Sequence, residues 1–172
     1  ATHGRPYKNQ TLIGSCVGRV VGCAGAYWAN LVLSSMTQTA GTSTGHLFDP
    51  SDMSPLLGEA LPQALEWMEK QATYGPDDEF HDCIPVNDRS IEGNCVLTYN
   101  WGNTFAVHLN AGSVFNEVGH EFGVARTPGS TVVLDRETMK LVPCDKDRCR
   151  FGTQYDDIGW VNHAPYLAFG GW

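Results

Sequence analysis

The stretch Cys95-Val96-Leu97-Thr98-Tyr99-Asn100-Trp101-Gly102-Asn103 decides how this chain is read. Its first half is aliphatic, β-branched and aromatic, and predicts a short strand over Cys95–Asn100. Its second half is small, amide-rich and aromatic. A strand running into such residues is where an α/β sheet presents loops to a ligand. Asn100, Trp101 and Asn103 are therefore candidate binding residues. An indole face stacks on a sugar ring or a flat ligand, while amides hydrogen-bond the polar edge.

Upstream lies the clearest helix. Leu57, Leu61, Leu65, Met68 and Ala72 recur at intervals of three and four, with Ala64 alongside and charged and amide residues at the other positions. That period is the helical one. Pro62 is tolerated in a first turn, so the helix is predicted from near Glu59 to near Tyr74-Gly75-Pro76. Further upstream, Val17 to Met36 is rich in Ala, Leu, Val and Gly. So few polar positions predict a mostly buried helix, and Trp28 lies in it. Residues 1–15 are polar and irregular. The expected division is a linker or N-terminal loop over 1–23 and one lobe over 24–172.

Downstream, residues 76–95 read as an acidic loop up to the strand, and a short helix is expected over Thr104–Leu109. Gly123-Val124-Ala125-Arg126 reads as a strand ended by Pro128-Gly129. Thr131–Leu134 and Lys140–Pro143 read as the arms of a hairpin with Asp135–Met139 as its turn. Helices alternating with short strands favour α/β or α+β. The chain then runs through Tyr166-Leu167-Ala168-Phe169 into Gly170-Gly171-Trp172. Such a run needs neighbours to bury it, so the sequence is expected to be a piece of a larger protein.

Bulk properties narrow the class. With 172 residues, 42% hydrophobic and five Trp, the chain has material for a core and is not of disordered composition. A net charge of −8 with only 11 scattered Lys and Arg argues against a nucleic-acid or anionic-membrane surface. There is no apolar run long enough to cross a membrane. The six cysteines fall into sequence-local pairs: Cys16 with Cys23, Cys83 with Cys95, and Cys144 with Cys149. Short loops close at little entropic cost, so three local disulfides and an oxidising compartment are expected. Zinc usually brings Cys-x-x-Cys knuckles, and there are none. The sequon Asn9-Gln10-Thr11 fits glycosylation of a secreted chain.

Catalytic motifs are weak. Val118-Gly119-His120-Glu121-Phe122-Gly123 is similar to the His-Glu-x-x-His helix of zinc proteases, but position 124, where the second imidazole belongs, is Val124. A zinc hydrolase is thus the remote alternative. His46, His81, His108 and His163 are scattered and read as surface or hydrogen-bonded residues. No Gly-x-Ser-x-Gly elbow or phosphate-binding loop occurs. Asp77-Asp78-Glu79 reads as a solvated acidic turn. No catalytic residue, metal or cofactor is expected.

Taken in order, five features resemble the second lobe of the extracellular solute-binding proteins, the maltodextrin-binding-like group of type 2 periplasmic binding proteins. Trp28 lies in an apolar helix like the one entering from the hinge. Phe48-Asp49-Pro50 precedes a lobe helix. Gly93-Asn94-Cys95-Val96-Leu97-Thr98-Tyr99-Asn100-Trp101 is similar to the family's Gly-x-x-Ala-Met-Thr-Ile-Asn-Gly run. Phe122-Gly123-Val124-Ala125-Arg126-Thr127-Pro128-Gly129 resembles its Tyr-Gly-Val-x-x-Leu-Pro-Gly strand. Leu167-Ala168-Phe169-Gly170-Gly171-Trp172 looks like its Phe-x-Gly-Gly-Trp return.

The resemblance covers 24–172. It implies an α/β fold: a partial lobe with helices on a short mixed sheet, and a disulfide-linked hairpin insert at 130–150. It implies an extracellular or cell-surface module that binds without catalysis and without a cofactor. The ligand would be a small solute (sugar, peptide or amino acid) or another protein chain, held in a cleft shared with a first lobe outside this chain. The implied ligand contacts are Trp28, Asn100, Trp101, Asn103, Pro128, Gly170, Gly171 and Trp172. The cysteines and the insert depart from the bacterial group. They look more like solute-binding-like domains in secreted or receptor proteins of algae and other eukaryotes, which favours sensing or a structural role over transport. The alternative is a structural or interaction protein of a coat or fibre that reuses the fold.

Overall fold

The computed structural model describes residues 6–7, 10–18, 23–75, 94–99 and 123–165, with side chains from 12–18, 28–75, 94–99 and 123–165. The chain divides into two compact units, Ala1–Trp28 with Met68–Ala125, and Ala29–Trp67 with Arg126–Trp172. Helices and small sheets are mixed along it, an α/β arrangement.

In the first unit, β1 (Pro6–Tyr7) pairs antiparallel with β2 (Gln10–Thr11). Then β3 (Ile13–Cys16) pairs parallel with β4 (Cys95–Thr98), with Ile13 opposite Cys95 and Ser15 opposite Leu97. The predicted strand is therefore present. The N-terminal stretch expected as a loop or linker instead supplies three short strands. A parallel ladder draws its two strands from distant parts of the chain, so β3 carries no local signal of its partner. The disulfides correct the expected pairing. Cys16 is bonded to Cys95 across a sequence separation of 79, with S–S 2.02 Å, so neither Cys16–Cys23 nor Cys83–Cys95 forms. Cys16 is fully buried, and Ile13 and Cys95 pack against it.

Two helices span the chain's middle: α2 (Ala60–Ala72) lies close to its predicted bounds, whereas α1 (Cys23–Thr37) starts six residues after the expected Val17, and Val17 and Gly18 are not helical. The last turn of α2 docks on β3: the Ser15 amide donates to the Tyr74 carbonyl at 2.9 Å, and Gln71 Nε2 donates to Ser15 Oγ at 3.0 Å.

In the second unit, every residue from Leu31 to Gln38 is buried. A helix buried all round must satisfy its own polar side chains. It does so backwards along the helix, with Ser34 Oγ donating to Leu31 O, Ser35 Oγ to Val32 O and Thr37 Oγ1 to Leu33 O. The first turns of α2 are a correction of emphasis. Ala60 and Ala64 are buried, whereas Leu61 and Leu65 of the apolar stripe are exposed. The reason is a close backbone approach. The Glu59 amide donates to Met139 O at 3.1 Å, and a Cβ on Gly58 would lie 2.5 Å from that same oxygen.

The predicted hairpin is present as β6 (Val132–Leu134) and β7 (Leu141–Pro143), in register Val132 to Pro143 and Leu134 to Leu141. Asp135 Oδ1 accepts from the Glu137 and Thr138 amides and shapes its turn. Cys144–Cys149 forms as expected. Both cysteines are buried with Val133, and Val142 and Trp160 pack against them. A three-stranded antiparallel sheet, β5 (Gly129–Ser130), β9 (Gly159–His163) and β8 (Thr153–Tyr155), completes the unit. The strand expected over 123–126 is irregular; pairing starts only at Gly129, opposite His163. A Cβ on Gly129 would lie 2.6 Å from Asn162 O, so only glycine allows β5 to sit this close to β9.

Candidate functional site

Of the predicted ligand contacts, Trp28 and Pro128 lie among the described residues, one in each unit. Asn100, Trp101, Asn103, Gly170, Gly171 and Trp172 lie outside them, as do Asn9, Cys83, His81, His108, His120, Glu121, the predicted helix at 104–109 and the side chain of Cys23.

Trp28 is placed by α1 and is 9% exposed. Its ring lies 5.9 Å from that of Tyr99, the residue directly after β4, at an interplanar angle of 51°. The pair thus sits where the predicted strand ends and its amide-rich continuation begins. The indole N–H can only donate, and it finds no acceptor among the described residues. Burying such a donor unpaired costs about 1–3 kcal/mol, so the position is poorly explained by packing alone.

Pro128 is exposed just ahead of β5. Its carbonyl accepts from the Ala164 amide at 3.3 Å, which continues the β5–β9 pairing by one step. The flanking residues carry chemistry. His163 Nδ1 is 2.9 Å from Thr127 O, and a carbonyl only accepts, so Nδ1 carries the proton in the neutral ring. Nε2 is then the acceptor, and the Tyr155 hydroxyl donates to it at 3.0 Å. The two rings meet edge to face at 5.9 Å. Arg126 Nη1 donates to Thr153 Oγ1 at 2.8 Å. Sequence reading missed this cluster because β8 and β9 are short. The signal was there in Tyr155-Asp156-Asp157-Ile158-Gly159-Trp160, a turn flanked by aromatics whose Gly159 takes φ 81°.

Other aromatic and amide side chains serve the fold. Trp160 packs on the Cys144–Cys149 cluster. Asn162 is buried and donates to Ser35 O at 2.7 Å. Asn30 Oδ1 meets His46 Nε2 at 2.9 Å, and His46 Nδ1 lies 3.5 Å from Thr37 Oγ1. Burial lowers the His46 pKa from its usual 6.5. Asp49 is also held below the usual carboxylate range, chiefly by the Ser51 hydroxyl and amide, with Arg136 adding to the effect.

Among the described residues no three His, Cys, Asp or Glu side chains converge as a metal site, and no helix is long and apolar enough to cross a membrane. The two disulfides among the described residues indicate folding in an oxidising, secretory-type environment. No family model, curated protein or solved structure matches this chain.

Proposed function

We propose that this chain is a non-catalytic, extracellular or cell-surface ligand-binding module of the solute-binding type, working as part of a larger secreted or receptor protein. The observation that carries the reading is Trp28. A nearly buried indole packs on Tyr99 at the exit of β4 with its N–H lacking an acceptor among the described residues. A ligand oxygen would satisfy that donor, and the aromatic pair would cover an apolar face of the ligand. The five sequence resemblances support the same assignment, with the ligand in a cleft that closes around it.

The test is a thermal-shift panel of a neutral disaccharide, a dipeptide and a free amino acid, repeated with Trp28→Phe. At least one solute should raise the unfolding temperature. Trp28→Phe keeps a ring and removes the N–H, and should weaken that solute about tenfold with unchanged far-UV circular dichroism. Trp101→Ala should also lower affinity. Absence of a shift with every solute would remove the reading.

One observation favours the second reading, an interaction or coat protein. Val96 and Leu97 are consecutive on β4 and so face opposite sides, yet they are 60% and 68% exposed. A parallel strand is ordinarily covered on both faces. Concentration-dependent assembly without any solute response would move the assignment to that reading.

A further inference from the structure

We propose that Arg126 is the anion contact of the Pro128 surface and that the solute bound there carries a carboxylate. The inference rests on the ligand-binding reading and adds the chemistry of a ligand held on this face of the second unit. Arg126 stands two residues before Pro128, and its Nη1 is fastened to Thr153 Oγ1 at 2.8 Å. That bond orients the guanidinium and leaves its other N–H donors for a planar acceptor. The ion pairs among the described residues belong to Arg136 and Arg148, not to Arg126. The chain holds 19 Asp and Glu against 11 Lys and Arg, yet among the described residues Arg126 makes no ion pair.

The neighbours supply a complementary group. Thr153 and Tyr155 alternate onto one face of β8, and the register sets them opposite Val161 and Gly159, with His163 next along the same face of β9. Because Tyr155 donates to His163 Nε2, its oxygen keeps lone pairs for an incoming N–H or O–H. The face therefore offers a guanidinium fork and, one pleat along the strand, a neutral acceptor. This fits a small carboxylic acid that also bears a hydrogen-bond donor.

The experiment is an NMR titration of the full chain with N-acetylglycine and with its neutral isostere N-acetylglycinamide, in wild type, Arg126→Gln and Thr153→Val. N-acetylglycine should saturably shift the Arg126 Nε–H and the Thr153 and Tyr155 amides. It should bind about tenfold more tightly than the amide, the lower end for a hydrogen bond to a charged group because Arg126 is exposed. Arg126→Gln should abolish the preference. Thr153→Val keeps the charge but frees the fork, and should reduce the preference by a factor of a few, which a non-specific surface charge would not show. Equal shifts by acid and amide, or a preference that survives Arg126→Gln, would overturn the proposal. If neutral solutes bind without preference for the acid, the carboxylate inference falls and the module reading stands. If no probe and no panel solute shifts any resonance of a folded chain, both fall.

Discussion

The Asn162 side-chain amide donates to the Ser35 carbonyl at 2.7 Å and to the Gln38 carbonyl at 3.3 Å, from a residue 2% exposed. The last carbonyls of a helix have no partner within it, and here β9 caps the end of α1. Asn162→Leu would leave both carbonyls buried and unpaired, at a cost of about 1–3 kcal/mol. Asn162→Asp should be worse, because it also buries a charge with no donor of its own. Urea unfolding followed by circular dichroism measures both. A loss well under 1 kcal/mol for Asn162→Leu would show that water replaces the amide.

The two disulfides among the described residues close loops of very different length, and their removal should differ accordingly. In the chain-entropy account, a separation of 79 residues corresponds to about 4.5 kcal/mol and one of 5 residues to about 2 kcal/mol. The double variant Cys16→Ser with Cys95→Ser should therefore lower stability more than Cys144→Ser with Cys149→Ser. Peptide mapping without reduction should first recover Cys16 linked to Cys95 and Cys144 linked to Cys149. A Cys16–Cys23 peptide would contradict the β3–β4 crosslink.

This pairing marks the limit of what the residues alone disclose. The Val132–Leu134 and Leu141–Pro143 arms and the bounds of α2 were legible because their patterns are local: a turn between apolar runs, and a 3.6-residue period. The β3–β4 ladder and the Cys16–Cys95 bond depend on residues far apart in sequence, and a short-loop argument favours the wrong partner for Cys16. The stripe of α2 misleads for another reason. The close approach of Gly58 to the Met139 carbonyl seats the alanines inward and leaves Leu61 and Leu65 outside. Trp28 was legible as an aromatic residue within an apolar helix. The Arg126, Tyr155 and His163 cluster was not, because it is assembled by pairing between short strands.

Acid should weaken the second unit in two stages. His46 has its pKa lowered below 6.5 by burial, so the unfolded chain binds a proton that the folded one resists. That contribution is whole above pH 6.5 and diminishes as the pH falls below it. Asp49, Asp52, Asp135 and Asp145 are held below 3.8, largely by local hydrogen bonds from Ser51, Ser54, Thr138 and Arg148 respectively. Their contribution is present above pH 3.8 and is lost as the pH falls through their lowered values. Unfolding free energy measured across pH should show a first decline below 6.5 that His46→Gln removes, and a second below 3.8 that His46→Gln leaves in place. A first decline unchanged in His46→Gln would assign it to another group.

Arg136 should govern the loop between the helices. Its Nη1 donates to Asp49 Oδ2 at 2.7 Å, and its Nη2 donates to Thr37 O at 3.2 Å and to Thr44 O. One planar fork thus ties the hairpin turn to the end of α1 and to two points of the loop. Lysine carries the charge but cannot reach three acceptors in that geometry. Arg136→Lys should therefore lose about 1–2 kcal/mol through the two backbone carbonyls, whereas Asp49→Asn, which spares those carbonyls, should lose less. Hydrogen exchange locates the effect. The Asp49 and Leu56 amides, bonded to Ser54 O and Leu47 O at 2.8 Å, should exchange faster in Arg136→Lys. The Val161 amide in β9 should be unchanged under conditions where exchange is local. Acceleration of Val161 to the same extent would mean that Arg136 supports the whole unit and not the loop.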